Sequence, residues 1–300
     1  MTMTPFIADV ARFSLHDGPG IRSVVFFKGC PLRCVFCHNP ETQNTGPEIA
    51  FLGRKCVKCG ACVTVCPENA IDLGLDHPLL REKCNTCGRC VEECPSGALH
   101  MFGKQYSIEA LTDLLVRDIE YYRNSGGGVT LSGGECGLFP EYLNGLLIEL
   151  KKRDIHILME TSGHFDYEKF RELALGYLDT VYYDLKFADT VTHHKYCGKT
   201  NQLILFNFQR LSTEKNIIVQ PRIPLIPGLT DTEHNLLGIA DFLRGLGITD
   251  IDTVPYNPTS GGKYVSLGRQ SPNLPETFMK PEEIKRSRSI LKRGLVMKAL

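Results

Sequence analysis

The sequence has no excess of charge of either sign and no long apolar run. Lys plus Arg and Asp plus Glu number 34 each in 300 residues, so no bulk electrostatic field favours nucleic acid or an anionic membrane. The amino-terminal stretch lacks the basic-then-apolar pattern of a signal peptide, and no run reaches membrane-spanning length. The nine histidines show no metal-binding spacing. We therefore expect a cytoplasmic protein that binds neither nucleic acid nor membrane.

Cysteine, by contrast, is abundant. The chain has 13 cysteines, and eleven of them lie in three tight clusters. In a small secreted chain such a number would suggest disulfides, but these clusters have the spacings of iron–sulfur ligands. That usage indicates a reducing compartment. The hydrophobic content of 42% is enough for one large domain, or for one domain with an insertion.

The first cluster is Cys30, Cys34 and Cys37, with the spacing C-x3-C-x2-C, after an apolar, strand-like run at 24–27. A cubane iron–sulfur cluster has four irons and normally takes four thiolates, so three local thiols leave one iron free to bind substrate. A zinc knuckle or three reduced core cysteines are the alternatives. Zinc sites, however, favour paired C-x2-C or Cys/His sets. The spacing therefore favours a 4Fe–4S cluster with an open iron.

An internal repeat supplies the other eight cysteines. The pattern C-x2-C-x2-C-x3-C-P occurs twice, starting at Cys56 and again at Cys84. The offset is constant, so the last cysteines, Cys66 and Cys94, also match. This is the run of bacterial two-cluster ferredoxins, in which the fourth cysteine of each run ligates the other cluster. Two full copies leave little room for zinc. The predicted ligand sets are Cys56, Cys59, Cys62 and Cys94 for one 4Fe–4S cluster, and Cys66, Cys84, Cys87 and Cys90 for the other.

Strand and helix patterns alternate after this repeat. Predicted helices cover 107–122, 140–153, 167–175, 203–215, 232–246 and 280–293. Predicted strands cover 129–131, 155–159, 180–185, 217–222 and 250–255, and residues 222–231 are expected to form a rigid, proline-rich loop. Such alternation implies parallel strands with helical crossovers. About six strands result, fewer than the eight of a closed barrel. Residues 51–100 would then be an insertion in this series, either an electron relay or a purely structural unit.

The three-cysteine loop closely resembles that of the radical S-adenosylmethionine (radical SAM) superfamily. HDGPGIR at 16–22 and CHNPET at 37–42 are similar to motifs of its glycyl-radical-enzyme activating enzymes, and the resemblance covers 6–269. It implies an α/β fold, a partial (β/α)6 radical SAM barrel at 1–50 and 101–300 with an inserted bacterial-type two-cluster ferredoxin domain at 51–100. The implied cofactors are S-adenosyl-L-methionine (SAM) and three 4Fe–4S clusters.

The resemblance also implies SAM contacts after successive strands, where barrel chemistry is located. SGGEC at 132–136 matches the G-G-E element that contacts the methionine amino group, which points to Gly133, Gly134 and Glu135. Glu160 begins an acidic-Thr-x-Gly turn, and Asp184 and Lys186 form a D-x-K motif. In several relatives the acidic pair and the SAM carboxylate hold a monovalent cation. Glu160 is longer than the aspartate that some relatives have there.

Of five further positions, three have two interpretations each. By resemblance Arg222 faces SAM, and it could instead form a surface ion pair. Asn257 stands where relatives often have histidine, so it keeps hydrogen bonding without proton transfer. Asp17 is a candidate for contacting the partner's glycine loop near the active-site opening, or a self-capping turn residue. Cys136 could be a small buried thiol or a redox group, and Cys197 is expected to be structural.

The implied activity is that of an activating enzyme, with Asp17 and Lys186 as catalytic candidates. It would cleave SAM reductively to a 5′-deoxyadenosyl radical and remove a hydrogen from a glycine Cα of a partner glycyl-radical enzyme. One alternative is a radical SAM enzyme acting on another peptide or small molecule, and another is a ferredoxin-like electron carrier. We expect a monomer served by a flavodoxin or ferredoxin-type donor. The sequence does not identify the partner enzyme.

Overall fold

The computed structural model describes residues 3–296 of the chain. Within this range the strands are β1 Phe6–Ser14, β2 Arg22–Phe27, β3 Glu48–Phe51, β4 Leu99–Phe102, β5 Lys104–Gln105, β6 Gly128–Gly133, β7 His156–Thr161, β8 Thr180–Asp184, β9 Ile218–Leu225 and β10 Asp252–Pro255. The helices are α1 Ala61–Thr64, α2 Arg89–Glu92, α3 Ile108–Val116, α4 Ile119–Ser125, α5 Pro140–Lys151, α6 Tyr167–Leu173, α7 Thr190–Cys197, α8 Gln202–Leu211, α9 Glu233–Gly245, α10 Ser260–Ser266 and α11 Pro281–Val296. None of them is long and apolar enough to cross a membrane.

One mostly parallel sheet organises the molecule. Its strand order is β10-β9-β8-β7-β6-β2-β1-β5, and the six strands from β10 to β2 pair in parallel. β1 and β5 extend the sheet in the antiparallel sense. Helices connect successive parallel strands, as short crossovers require. The predicted α/β alternation and the count of about six parallel strands are confirmed.

The central parallel strands, β2, β6, β7 and β8, are short and largely buried. All but the last residue of β6 are buried, and the buried apolar side chains of β7 and β8 join the same large core. This burial is typical of parallel sheets covered by helices. Because the strands run in one direction, the segments after β2, β6, β7, β8 and β9 meet at one edge of the sheet. That edge carries most of the predicted site.

The helix predicted at 107–122 is in fact two helices. α3 ends at Val116 and α4 begins after Asp118, whose φ and ψ of −103° and 9° interrupt the regular helix. The Asp118 side chain is buried and accepts hydrogen bonds from Arg12 Nε (2.7 Å) and Ser23 Oγ (2.9 Å). These contacts to β1 and β2 explain the break, which the helical periodicity alone does not reveal.

The proline-rich loop predicted to begin at Arg222 starts later than expected. β9 continues to Leu225, and its last four residues pair with the whole of β10. Pro221 and Pro224 lie within the strand although neither has a backbone N–H to donate. The pairing of β9 with β10 covers only four residues at the end of the sheet, where prolines are tolerated best. The loop proper therefore begins at Ile226.

The segment between β3 and β4 has its own small core. The two strands pair antiparallel as a separate sheet, and an isolated bridge joins Ile71 to Leu79. The buried residues of this core are Ile49, Ile71, Leu79, Cys90 and Leu99. They form a cluster distinct from the main core. The predicted insertion thus coincides with a locally packed unit, which contains the eight repeated cysteines.

Candidate active site

The three-cysteine loop follows the carboxyl end of β2 and is fixed by backbone hydrogen bonds. Gly29 N and Cys30 N donate to Thr42 O (2.8 Å) and Gln43 O (3.1 Å). Further along, Arg33 N donates to Cys197 O (2.8 Å) and Val35 N to Tyr196 O (2.9 Å), at the end of α7. The loop is therefore held from both sides, by the turn that follows it and by α7.

The three thiols are close together and largely buried. Burial raises the pKa of Cys30, and it raises that of Cys37 to about 12. A hydrogen bond with the Cys197 thiol, together with burial, raises the pKa of Cys34. Cys34 and Cys37 also raise the pKa of Cys30, and Cys34 raises that of Cys37, so joint ionisation of the three thiols is unfavourable in the absence of metal. Binding as thiolates must then release protons, as is typical of metal sites.

Gly133 and Gly134 bring the end of β6 against the base of the cysteine loop. Gly134 N donates to Phe27 O (2.8 Å) and Glu135 N to Gly29 O (2.7 Å). A Cβ at Gly134 would lie 2.3 Å from Gly29 O, and Gly133 has a φ of +103°. The backbone that approaches these glycines so closely belongs to the chain itself. The contact of Gly133 and Gly134 with SAM, which the resemblance implies, stays a prediction.

The Glu135 carboxylate is directed into the protein. Its side chain is fully buried, and its oxygens accept hydrogen bonds from Thr161 Oγ1 (2.8 Å to each oxygen) and from Ser162 N and Oγ (2.9 and 2.7 Å). Gly137 N adds a further bond of 3.1 Å. These contacts tie the turn after β6 to the turn after β7. Glu135 therefore positions the neighbouring Glu160 turn through its side chain.

Glu160, Asp184, Lys186 and Arg222 form one network at the strand ends. Asp184 and Arg222 are direct partners in the register of β8 with β9. Arg222 binds Glu160 (2.6 Å) and Asp184 (3.2 Å), and Lys186 binds the other oxygen of Asp184 (3.2 Å). Ser132 Oγ donates to Glu160 at 2.7 Å. The structure thus brings all four predicted residues together.

The two carboxylates of this network differ in their electrostatics. Burial raises the pKa of Glu160, and Arg222 offsets that effect only in part. Burial would also raise the pKa of Asp184, but Lys186 and Arg222 together hold it below its usual range. Both carboxylates already face cations, and no three His, Cys, Asp or Glu side chains between residues 3 and 296 converge on a single-ion site. The monovalent cation stays a prediction.

The DGPG turn lies at the opposite end of β2 from the cysteine loop. It connects β1 to the start of β2, and Ile21 and Gly20 contact the segment just before β6. The turn then folds back over the sheet, where Thr130 Oγ1 donates to Asp17 O at 2.7 Å. Asp17 accepts a hydrogen bond from Ser14, and its charge is near enough to raise the pKa of Glu160. Asp17 therefore lies near the carboxylate network and away from the cysteines.

Arg22 holds this turn in place, a role that the sequence motif did not reveal. The side chain is fully buried and donates to Thr130 Oγ1 (2.6 Å), Val129 O (2.7 Å) and Pro19 O (3.2 Å). Burial lowers the pKa of Arg22 to about 10, so the guanidinium remains charged at neutral pH. A buried cation that makes three hydrogen bonds is costly to remove.

We expect Arg22→Met to lower the free energy of unfolding by about 3 kcal/mol, because the buried Val129 carbonyl and the buried Thr130 hydroxyl would lose their donor. Urea denaturation of anaerobic protein measures this difference. Arg123→Met is the matched control, since Arg123 is exposed and pairs only with Glu120 within α4. Equal, small effects in both variants would contradict a bracing role for Arg22.

Asn257 contacts the cysteine loop by way of His38. Its side chain accepts a hydrogen bond from Thr259 N (3.0 Å). Burial lowers the pKa of His38, and a hydrogen bond between His38 and the Asn257 side chain partly counters that shift. His38 Nε2 lies 3.2 Å from Thr259 Oγ1. The contacts of Asn257 are thus with the CHNP segment and the start of α10. The importance of His38 was not recognised in the sequence, where it stands only as part of CHNPET.

The remaining two cysteines have different surroundings. Cys136 is fully buried and its thiol lies 4.0 Å from Leu131 O. Burial raises its pKa well above the ordinary value, which favours an inert thiol. Cys197 is also fully buried, but its thiol contacts that of Cys34. Its structural role is therefore to support the cysteine loop.

Two cavities in the inserted segment are lined by the repeated cysteines. One has Cys56, Cys59, Cys62 and Cys94 in its wall, and the other has Cys66, Cys84, Cys87 and Cys90. The fourth cysteine of each run therefore lines the cavity of the other run. This is the crossed arrangement that the spacing predicts. The four thiols that line each cavity fit the ligand set of a cubane.

The two cavities are built by matching backbones. Lys58 and Thr86 both have positive φ, 54° and 57°, and Gly60 and Gly88 follow with 82° and 83°. Cys66 and Cys94 sulfurs each accept a hydrogen bond of 3.2 Å from the backbone N–H four residues later. The sequence repeat is therefore also a structural repeat.

Comparison with known proteins defines the class of fold first. Residues 24–240 match the model of the radical SAM superfamily. The solved structure of a radical SAM methyltransferase from Sphaerobacter thermophilus superposes with a TM-score of 0.54 at 15% identity, over 97% of this chain and 75% of that one. That likeness shows the fold alone.

Two curated relatives narrow the class. The trans-4-hydroxy-L-proline dehydratase activating enzyme of Clostridioides difficile is 40% identical over 287 residues, 94% of each chain. The choline trimethylamine-lyase activating enzyme of Oleidesulfovibrio alaskensis is 39% identical over 274 residues, 89% of this chain and 88% of that one. The chain belongs to the radical SAM superfamily and, within it, to the activating enzymes of glycyl-radical enzymes. Its family implies a 4Fe–4S cluster and SAM.

Proposed function

We propose that this chain removes a hydrogen atom from a glycine Cα of its partner glycyl-radical enzyme. The observation that carries the proposal is the juxtaposition of the thiol loop after β2 with the charged network at the ends of β7 and β8 and within β9. When bound, the cluster and SAM supply the chemistry, in which one electron cleaves SAM to methionine and a 5′-deoxyadenosyl radical that takes the hydrogen. The protein supplies orientation and the exclusion of side reactions.

The residues of the loop fit a cluster with an open iron. We propose that Cys30, Cys34 and Cys37 hold it, which leaves one iron for SAM. Their close approach and their burial support this assignment. The Cys197 thiol lies beside Cys34, but it comes from α7 and lies outside the spacing of the motif.

The charged network fits the polar groups of SAM. Arg222 and Lys186 are cations that can receive a carboxylate, and Glu160 and Asp184 can receive an ammonium group or ribose hydroxyls. We propose that SAM takes over part of these contacts when it binds. Because the network is neutral as a whole, it can exchange internal ion pairs for ligand contacts without leaving a buried charge unpaired.

The eight repeated cysteines are proposed to hold two further 4Fe–4S clusters in residues 51–100. The two cavities and their crossed lining support this. We propose that these clusters relay electrons to the first cluster. A radical SAM enzyme that acts on a different peptide or on a small molecule is the second candidate, since the cluster loop alone does not select the substrate.

Asp17 is proposed to contact the glycine loop of the partner. Its position near Glu160 supports contact with a partner segment that reaches the carboxylate network. Glycine permits close approach of backbone, so a short glycine loop can enter a narrow opening. The overall charge is zero, so docking should depend on shape and local contacts.

We expect Asp17→Ala to reduce glycyl-radical formation on the partner more than it reduces SAM cleavage without partner. The first is measured as spin by electron paramagnetic resonance (EPR), the second as 5′-deoxyadenosine formed. Ser14→Ala is the matched control, because it removes the hydrogen bond to Asp17 but keeps the carboxylate. Equal losses in both measurements would assign Asp17 to cofactor binding or folding. No radical on any partner with the wild-type chain would favour the second candidate function.

A further inference from the structure

The two ligand loops of the structural repeat differ in charge although their backbones match. In the first copy, Arg54 and Lys55 precede Cys56, and Lys58 lies between Cys56 and Cys59. No carboxylate occurs in residues 51–66. The equivalent positions of the second copy are Glu82, Lys83 and Thr86. The first loop, 54–59, therefore carries three positive charges, and the second, 82–87, carries none in net.

The cationic loop is also the more exposed part of its cavity wall. Val57 is 67% exposed, and Cys59 is exposed as well. The same cavity is also lined by Leu73, whose turn carries two negative charges, Asp72 and Asp76. Within this cavity wall the positive charge is therefore confined to the ligand loop. An apolar side chain surrounded by cations and next to a cluster ligand is typical of small, charge-steered electron-transfer contacts.

Resting on the proposed relay clusters, we propose that loop 54–59 docks an acidic one-electron carrier protein of the flavodoxin or ferredoxin type. One electron passes from the reduced carrier to the cluster held by Cys56, Cys59, Cys62 and Cys94. The carrier is oxidised by one electron and the cluster reduced by one, with no bond made or broken. Because the whole chain is neutral, the local patch must supply the attraction.

The opposite side of the inserted segment leads towards the radical SAM site. Arg81 lies near Cys84, donates to Ile49 O (2.8 Å) and is near Glu48 and Arg269. Arg269 in turn donates to Pro40 O (2.7 Å), three residues after Cys37. The proposed cluster held by Cys66, Cys84, Cys87 and Cys90 is thus the one connected to the loop of Cys30, Cys34 and Cys37. Electrons would enter at loop 54–59 and leave by the second cluster.

The test titrates the anaerobic enzyme with an oxidised, acidic bacterial flavodoxin at low ionic strength. We expect the double variant Lys55→Glu, Lys58→Glu to weaken binding at least about tenfold, and added salt to weaken wild-type binding. Lys83→Glu, the same change at the equivalent position of the second copy, should leave the affinity within about twofold. Iron content and absorption spectra verify that the clusters of each variant are intact.

Equal weakening by both variants, or no binding by the wild type, would overturn the docking proposal. Failure of the proposed function is separately visible. With a small chemical reductant in place of flavodoxin, the double variant should still form a glycyl radical on the partner. If the wild type also forms none with that reductant, the proposed function fails and the binding result stands by itself.

An independent observation concerns Tyr264 on α10. Its hydroxyl is buried and has no hydrogen-bond partner among residues 3–296. α10 is held against the segment after the cysteine loop, because Lys263 Nζ binds Asn39 Oδ1 (2.7 Å) and Glu41 Oε1 (2.9 Å). Burial raises the pKa of Tyr264 and the neighbouring Cys37 and Cys34 raise it further, whereas close approach of the Cys37 backbone N–H to the phenol oxygen lowers it only in part. The phenol is therefore a protonated donor beside the thiols.

We infer that the Tyr264 hydroxyl donates a hydrogen bond to the Cys37 sulfur when that sulfur is a cluster ligand. A buried donor without an acceptor is unfavourable, and a thiolate is a far better acceptor than a thiol. Hydrogen bonds to ligand sulfurs raise the reduction potential of iron–sulfur clusters. Tyr264 is thus a tuning residue for the cluster that binds SAM.

Tyr264→Phe should shift the midpoint potential of this cluster to a more negative value, with iron content unchanged. EPR-monitored redox titration measures it, using the signal that SAM perturbs to identify the cluster. Tyr256→Phe is the control, since Tyr256 is equally buried but follows β10. An unchanged potential in Tyr264→Phe, or the same shift in both variants, would overturn the inference.

Discussion

Replacing Cys30, Cys34 and Cys37 together by Ala should abolish SAM cleavage and remove about four of about twelve irons, since each cubane holds four. The loss should be confined to one cluster, because the three thiols lie after β2 and the other eight cysteines line two separate cavities. Iron analysis and EPR of protein purified without oxygen measure the outcome.

Cys136→Ala is the control for this experiment. The Cys136 thiol is fully buried and lies against Leu131, outside the three groups of clustered cysteines. The iron content of the Cys136→Ala variant should therefore equal that of the wild type. Loss of all iron from the triple variant would contradict the separation of the clusters. Stoichiometric zinc in the native protein would contradict the cluster assignment itself.

Replacing Glu135 should have the second large effect, and it should be structural before it is chemical. Glu135→Gln keeps the shape of the side chain but places an amide NH2 against donors on Thr161 or Ser162. Lost bonds to a buried carboxylate are each costly, so we expect the free energy of unfolding to fall by about 3 kcal/mol or more. SAM affinity should fall as well, because the turn that Glu135 braces carries Glu160.

Urea denaturation and SAM titration of the same preparations separate the two effects. Glu172→Gln is the control, because Glu172 is an exposed residue of α6 and its replacement should change neither quantity. If Glu135→Gln unfolds like the wild type yet loses SAM affinity, the carboxylate would have to contact the cofactor directly. That result would support the contact with SAM that the G-G-E resemblance implies.

Features determined by local spacing could be predicted from the sequence. The crossed lining of the two cavities follows from two cysteine runs at a fixed offset. The charged network follows from acidic and basic residues placed at the ends of β7 and β8 and within β9. In parallel strands such positions meet at one edge. The alternation of strands and helices could likewise be predicted, because it does not depend on where each element boundary falls to within one or two residues.

Features determined by contacts between distant segments could not be predicted. Asp118 breaks a regular helical pattern because Arg12 and Ser23, about a hundred positions earlier, bind its carboxylate. The glycines after β6 are required by the approach of Gly29, which only the pairing of β2 with β6 reveals. In both cases a tertiary contact decides between local structures that the sequence leaves open.

The position of the DGPG turn shows the same limit. Its composition predicts a tight turn, but composition does not say at which end of the sheet the turn lies. The register of β1 with β2 places it at the amino end of β2, opposite to the cysteine loop. The resemblance places Asp17 near the active-site opening, and its contact with the partner stays a prediction.

The most direct test uses a partner glycyl-radical enzyme whose glycines carry deuterium at Cα. The partner encoded beside this chain's gene is the first choice. It is incubated anaerobically with this chain, SAM and a reductant, and the 5′-deoxyadenosine formed is analysed by mass spectrometry beside the EPR signal. We predict that one deuterium appears in 5′-deoxyadenosine as the glycyl radical forms. Formation of 5′-deoxyadenosine without deuterium and without a glycyl radical would contradict hydrogen abstraction from glycine by this chain.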